Sequence, residues 1–245
     1  MANLVTTTIN GINISPYSGF KNYIINGKKV VNQRGLTSTD TSYNQDRWYK
    51  SGNNWYQGIE GDNNLITGKT YTLSWVGAAT AGYYIGTAAN ATINAQTFTS
   101  IANGSNFTLS ISAGQNLWIK FTSDATGSTF NFVQLEEGTA ATPFENRPYG
   151  LELSLCQRYY EKSFNDITAT VVLNSTTTLT RNLKIDFKAT KRISTASVGI
   201  VGSFTGWSTN PSLSRDAEGL RYEGTAANAT TITKISGYVY IDAEL

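Results

Sequence analysis

The chain of 245 residues contains no histidine. Imidazole acid–base chemistry, the Ser-His-Asp and Cys-His nucleophile arrangements and imidazole metal sites are therefore closed to it. Two facing carboxylates remain open to it, because glycoside hydrolysis needs only a pair of acids across the scissile bond. No such pair stands out. Glu136 and Glu137 are neighbours in a β-forming run and must point to opposite faces of a strand. Asp46, in YNQDRW, stands beside Arg47, which suits ion pairing or turn capping. The single cysteine, Cys156, lies next to apolar positions and reads as a buried thiol that forms no intrachain disulfide. No catalytic residue and no cofactor is assigned, and the chain is expected to bind without cleaving.

Aromatic rings are the other chemical resource, with 14 Tyr, 10 Phe and 5 Trp. Trp48, Trp75, Trp118 and Phe132 fall in β-like runs and are expected in cores. Trp55-Tyr56 and Tyr83-Tyr84 are adjacent pairs, and since neighbours in a strand cannot share a face, one ring of each pair is expected outside. Trp207 sits in the polar run GSFTGWSTNPS. Rings set among Asn, Ser, Thr and Gly suit sugars, the ring packing on the pyranose C–H face while amides and hydroxyls bond its hydroxyls. Trp55, Tyr56, Tyr83, Tyr84 and Trp207 are thus the candidate glycan contacts. A subunit interface would use the same residue types.

The rings need strands to carry them. Charged residues are 15% of the chain and Gly numbers 22, a balance of short strands and turns rather than long surface helices. Asn26-Gly27, between Tyr23-Ile24-Ile25 and Val30-Val31, is a hairpin signal. Tyr71, Leu73 and Trp75 alternate cleanly, as in a strand buried on one face. Further strands are expected at 82–87, 95–101, 107–111, 117–121 and 130–135, and then at 167–173, 179–187, 196–201, 220–222 and 232–241, with 203–214 as a long loop. Between the two sets, Pro143 and Pro148 fix a non-helical connector. After it Leu151, Leu155 and Tyr159 recur at helical spacing, with Glu152 and Arg158 expected on the opposite face.

A net charge of +2 with scattered Lys and Arg gives no nucleic-acid footprint. No stretch approaches the roughly 20 apolar residues of a membrane span. Met1 to Gly11 lacks the basic start and apolar core of a secretory signal.

The segment LEEGTAATPFENRPYGLELSLCQRYYEKS, residues 135–163, resembles the linker of bacteriophage tail fibre and receptor-binding proteins. NYIINGKKVVNQRG (22–35), YNQDRW (43–48) and the terminal YIDAEL (240–245) are similar to other parts of the same family. The resemblance implies an all-β, antiparallel jelly-roll sandwich, then a short helix and a smaller C-terminal β-sandwich. It gives an N-terminal arm at 1–19, a carbohydrate-binding-module-like jelly roll at 20–137, a Pro-containing connector with the helix at 138–160, and an oligomerising C-terminal β domain at 161–245. It further implies a homotrimeric virion component made in the host cytoplasm. The expected partners are other tail proteins and a bacterial surface polysaccharide or lipopolysaccharide, with no nucleic acid and no membrane insertion. A purely structural virion decoration or baseplate protein is the other class that fits. Related jelly rolls hold a structural calcium near the Asn-Gly turn and the last strand. Here those places carry Lys28 and Asn131, poor ligands for a hard cation, so no metal is expected there, and Asp62 in the GDNN loop is the remaining acidic position.

Overall fold

The computed structural model describes residues 7–9, 12–14, 20–35, 42–61, 65–124, 126–163, 180–194, 196–205, 212–215, 218–225 and 234–244. Trp207, Asp62 and the strand expected at 167–173 lie outside them. The fold is all-β and antiparallel, and it divides into two compact units. The first comprises 1–30, 36–44 and 48–147, and the second 31–35, 45–47 and 148–245.

The segment expected as an arm holds a two-stranded pair, β1 (Thr7–Ile9) and β2 (Ile12–Ile14), with Thr7 opposite Ile14. The rest of the first unit is a two-sheet sandwich. One sheet is ordered β3 (Tyr43–Gln45), β4 (Trp48–Ser51), β5 (Asn54–Glu60), β10 (Asn116–Thr122), β7 (Thr80–Gly86), β8 (Thr99–Ile101). The other is ordered β11 (Phe130–Glu137), β6 (Thr70–Gly77), β9 (Asn106–Thr108). Their inner faces meet in one core: Leu117, Ile119 and Phe121 from β10 lie among Tyr71, Leu73 and Trp75 of β6 and Phe130, Val133 and Leu135 of β11. Phe121 stacks on Phe130 at 4.5 Å, and Trp48 meets both rings edge-on. Such aromatic pairs add roughly 0.5–1.5 kcal/mol each beyond the area they bury.

The Asn-Gly signal makes a turn but not a hairpin. Asn26 has a φ of 57°, yet its flanks run against β11: Tyr23 N–H donates to Leu135 O at 2.8 Å, and Val133 N–H donates to Gly27 O at 3.0 Å. The buried Asn22 side chain fixes that register, donating to Val133 O and accepting from Leu135 N–H. Phe132 is not a core residue. The β6–β11 register slips between Asn131 and Gln134, Phe132 takes a φ of 51°, and the bulge turns its ring outward onto Phe144. An unexpected short helix, α1 (Asn90–Ile93), follows β7 and buries Ile93.

The connector is fastened to the first unit. Glu136 accepts from both the N–H and the hydroxyl of Thr142, Gln134 Oε1 accepts from Glu145 N–H, and the buried Arg147 guanidinium donates to Ile24 O and Asn22 O.

In the second unit, α2 (Tyr149–Gln157) buries Glu152, Cys156 and Gln157, while Leu151 and Leu155 are half-buried. The buried face is thus one position away from the expected Leu stripe, and Glu152 is inside rather than outside. β12 (Tyr160–Ser163), β17 (Lys234–Asp242) and β14 (Ser197–Thr205) form one three-stranded sheet in that order. β13 (Thr180–Asp186), β16 (Gly219–Thr225) and β15 (Ser212–Arg215) form another. Residues 203–205 and 212–214, expected in a loop, are strand. Among the described residues the core is small: Ala196, Leu220, Val239, Ile241 and Ala243.

Candidate functional site

The outer face of the six-stranded sheet is built by simple alternation. In β10, Leu117, Ile119 and Phe121 face the core, so Trp118, Lys120 and Thr122 face out. Strand register then sets three rows across the sheet. One reads Tyr49, Tyr56, Lys120, Gly82, Ser100, a second Ser51, Asn54, Thr122, Thr80, and a third Gly58, Trp118, Tyr84.

Phe98, just before β8, closes over these rows. Its ring centroid lies 5.7 Å from Tyr56 and 5.8 Å from Tyr84, and the Lys120 Nζ stands 4.8 Å from it. Gly82 permits this approach, since a Cβ there would come within 3.0 Å of Thr99 O and 3.1 Å of Phe98 Cβ. Beside Phe98 opens a cleft of about 490 Å³. Its lining takes Thr80, Gly82, Ser100, Lys120 and Thr122 from the sheet and Asn103 from beyond β8, and it reaches Trp75, Ala79 and Ala81 of the sandwich core. Asn103 is committed to Trp75, bonding both its N–H and its C=O. Thr122 donates to Asn54 at 2.8 Å.

The five candidate rings separate. Trp55 is a core residue, 1% exposed, packed on Phe130 and against Gly127; its neighbour takes the outer face, so Trp55 offers no ring face to a ligand. Tyr83 packs on the core and stacks on Phe107 at 4.3 Å. Tyr56 is on the outer face but covered by Tyr49 and Phe98, and burial raises its phenol pKa against the opposing Asn54 contact. Tyr84 is half-buried on the outer face, its ring lying over Gly86. None of the described four lines the cleft; Tyr56 and Tyr84 pack against Phe98, which does. Phe98 and Lys120 were not singled out from sequence. Lys120 was findable as the one polar position in LWIKF that alternation turns outward, whereas Phe98 precedes its strand and carries no periodic signal.

A second polar cluster lies wholly within the second unit. Arg34 reaches Asp242 at 3.0 Å, Glu244 at 3.6 Å and Asp46 at 3.9 Å, and Arg47 pairs with Glu244. Asp46 pairs with Arg34 and accepts from the Gln33 side chain at 2.6 Å. The guanidinium groups lie over the rings of Tyr160 and Tyr159 at 3.6 and 3.5 Å. Burial raises the Asp46 carboxyl pKa while Gln33 and Arg34 pull it down. Cys156 is buried here, and its burial and the nearby carboxylates push the thiol pKa well up, which disfavours a nucleophilic thiolate. Two guanidinium groups and three carboxylates make up this cluster, and its ion pairs tie segments 31–35 and 45–47 to the terminal segment, as a structural network does.

Among the described residues no three of His, Cys, Asp and Glu group as metal ligands. At the positions compared with a calcium site, Lys28 Nζ donates to Asn146 Oδ1 at 2.6 Å and Asn131 Oδ1 accepts from Phe132 N–H. No described helix is long and apolar enough to cross a membrane. Compared with known proteins, the chain matches no family model, no curated protein and no solved structure.

Proposed function

We propose that this chain is a receptor-binding component of a bacteriophage tail fibre, and that its first unit attaches to a bacterial surface glycan without cleaving it. The observation that carries the reading is the cleft beside Phe98, an open groove on a rigid sheet with an aromatic wall and hydroxyl-bearing neighbours. This is the chemistry a pyranose needs, apolar surface for its C–H face and polar groups for its hydroxyls. The tail-fibre assignment rests on the resemblance of residues 22–35, 43–48, 135–163 and 240–245. Several copies, a homotrimer in this reading, would turn weak single sites into firm attachment to a repetitive polysaccharide, because each contact after the first is intramolecular.

Bacterial capsular polysaccharides and lipopolysaccharides arrayed on a surface test this directly. Binding to at least one, weakened about tenfold or more by Phe98→Ala in a chain that keeps its melting temperature, is expected. Release of new reducing ends from the bound polysaccharide would make the chain an enzyme instead. Failure to bind any glycan would return it to a structural role.

A further inference from the structure

The cleft beside Phe98 carries one ionisable side chain, Lys120, and no carboxylate in its lining. Lys120 is half-buried at the centre of the row Tyr49, Tyr56, Lys120, Gly82, Ser100. Strands on both sides hold its backbone, and the Phe98 ring at 4.8 Å holds its ammonium. Among the described residues no acidic side chain pairs with it, in contrast to Lys69, which meets Glu137 at 2.9 Å. Opposite it Gly82 has no side chain, and Thr99 O and Phe98 Cβ take up the space a side chain would fill, which seats the Phe98 ring beside the ammonium at the cleft.

We infer that the cleft selects a carboxylated sugar, a uronic or sialic acid residue within a polysaccharide. The carboxylate pairs with Lys120 Nζ, and the sugar's C–H groups pack on the Phe98 ring. The cause is charge complementarity in a confined place. A partly desolvated ammonium without a counter-ion gains a charge-assisted hydrogen bond from a carboxylate and only a neutral one from a hydroxyl. A neutral sugar would leave the charge uncompensated in the cleft, a cost that acts against the wrong ligand. This inference rests on the glycan-binding reading and narrows it.

The test uses the intact chain and matched polysaccharides. Acidic bacterial capsular polysaccharides are compared with the same polymers after chemical reduction of their carboxyl groups to primary alcohols, which changes the charge and keeps the ring. The native polymer is expected to bind, and its reduced counterpart about tenfold or more weaker. Lys120→Met, which keeps a stem over Phe98, is expected to bind both forms as weakly as the reduced one. Lys120→Arg restores the preference, and Lys69→Met, which removes the same charge outside the cleft, leaves it unchanged. Equal binding of native and reduced polymers, or an undiminished preference in Lys120→Met, overturns the acidic-sugar inference while the glycan-binding reading stands. Binding of neither form of any polymer overturns both.

Discussion

The ammonium of Lys29 is held by the backbone carbonyls of Gly127 and Phe130 and lies 3.7 Å from the centre of the Phe130 ring. It gives those carbonyls the partner a bound cation supplies in other proteins, so this corner needs no metal to be satisfied. Burial lowers its pKa from 10.5 to about 8, with Asp124 opposing. The sign of the consequence is set by the folded value lying below the unfolded one. Between about pH 8 and 10 the unfolded chain holds the proton that the folded chain has released, so stability rises with pH across that window. The neutral amine keeps two N–H groups, enough for two carbonyls. Above pH 10 the raised phenols of Tyr23 and Tyr160 act in the opposite direction, and this closes the window. Denaturant unfolding at pH 7.5, 8.5 and 9.5 is expected to give an upward slope in the wild type that is missing in Lys29→Met. Parallel slopes in the two proteins would mean that Lys29 does not titrate there.

Strand register, more than any single residue, puts Lys120 opposite Gly82 and between Tyr56 and the β8 edge. Part of this was legible in the sequence: alternation in residues 71–75 gave that strand and its inner face, and 117–121 was expected as a strand. Trp118, expected in a core, lies on the other face of β10 from Leu117, Ile119 and Phe121. The bulge at Phe132 was not legible, because a register slip depends on the partner strand and leaves no period of its own. Nor was the fate of the Asn-Gly turn, whose flanks pair with β11, more than a hundred residues away in sequence. Glycines separate local from tertiary constraint in the same way. Gly52 and Gly77 both have positive φ, 59° and 121°. A Cβ on Gly52 meets nothing within 4 Å, whereas one on Gly77 overlaps Thr129 O, at the start of the β6–β11 pairing. Gly52→Ala should cost about 1 kcal/mol, the backbone term alone. Gly77→Ala adds a steric clash, for a total of about 3 kcal/mol or more. Equilibrium denaturation that ranked the two equally would show that the β6 edge gives way freely.

At the scale of the molecule, the strings that suggested a family turn out to hold the units together internally. TPFENR fastens the connector to the first unit, through Thr142, Glu145 and Arg147. NQRG and QDR supply Arg34, Asp46 and Arg47 to the second unit, where Asp242 and Glu244 of the terminal segment meet them. The sequence pointed to a separate connector at 138–160; the two units divide between Arg147 and Pro148. It could not disclose that residues 31–35 and 45–47 join the later unit, because buried ion pairs between distant segments follow no periodicity. A consequence follows for dissection. A fragment of residues 148–245 would leave Asp242 and Glu244 without either guanidinium and uncover the faces of Tyr159 and Tyr160. Removing one side of a buried charge pair costs roughly 3–5 kcal/mol, a large share of the stability of an ordinary domain. The fragment is therefore expected to lack cooperative unfolding by circular dichroism and to be digested rapidly by protease. Fusing residues 31–47 to it through a flexible linker should restore both properties, but the same fusion carrying Arg34→Ala and Arg47→Ala should not. A cooperative melt of residues 148–245 alone would show that the strands of the second unit suffice and that the arginine cluster is dispensable to its folding.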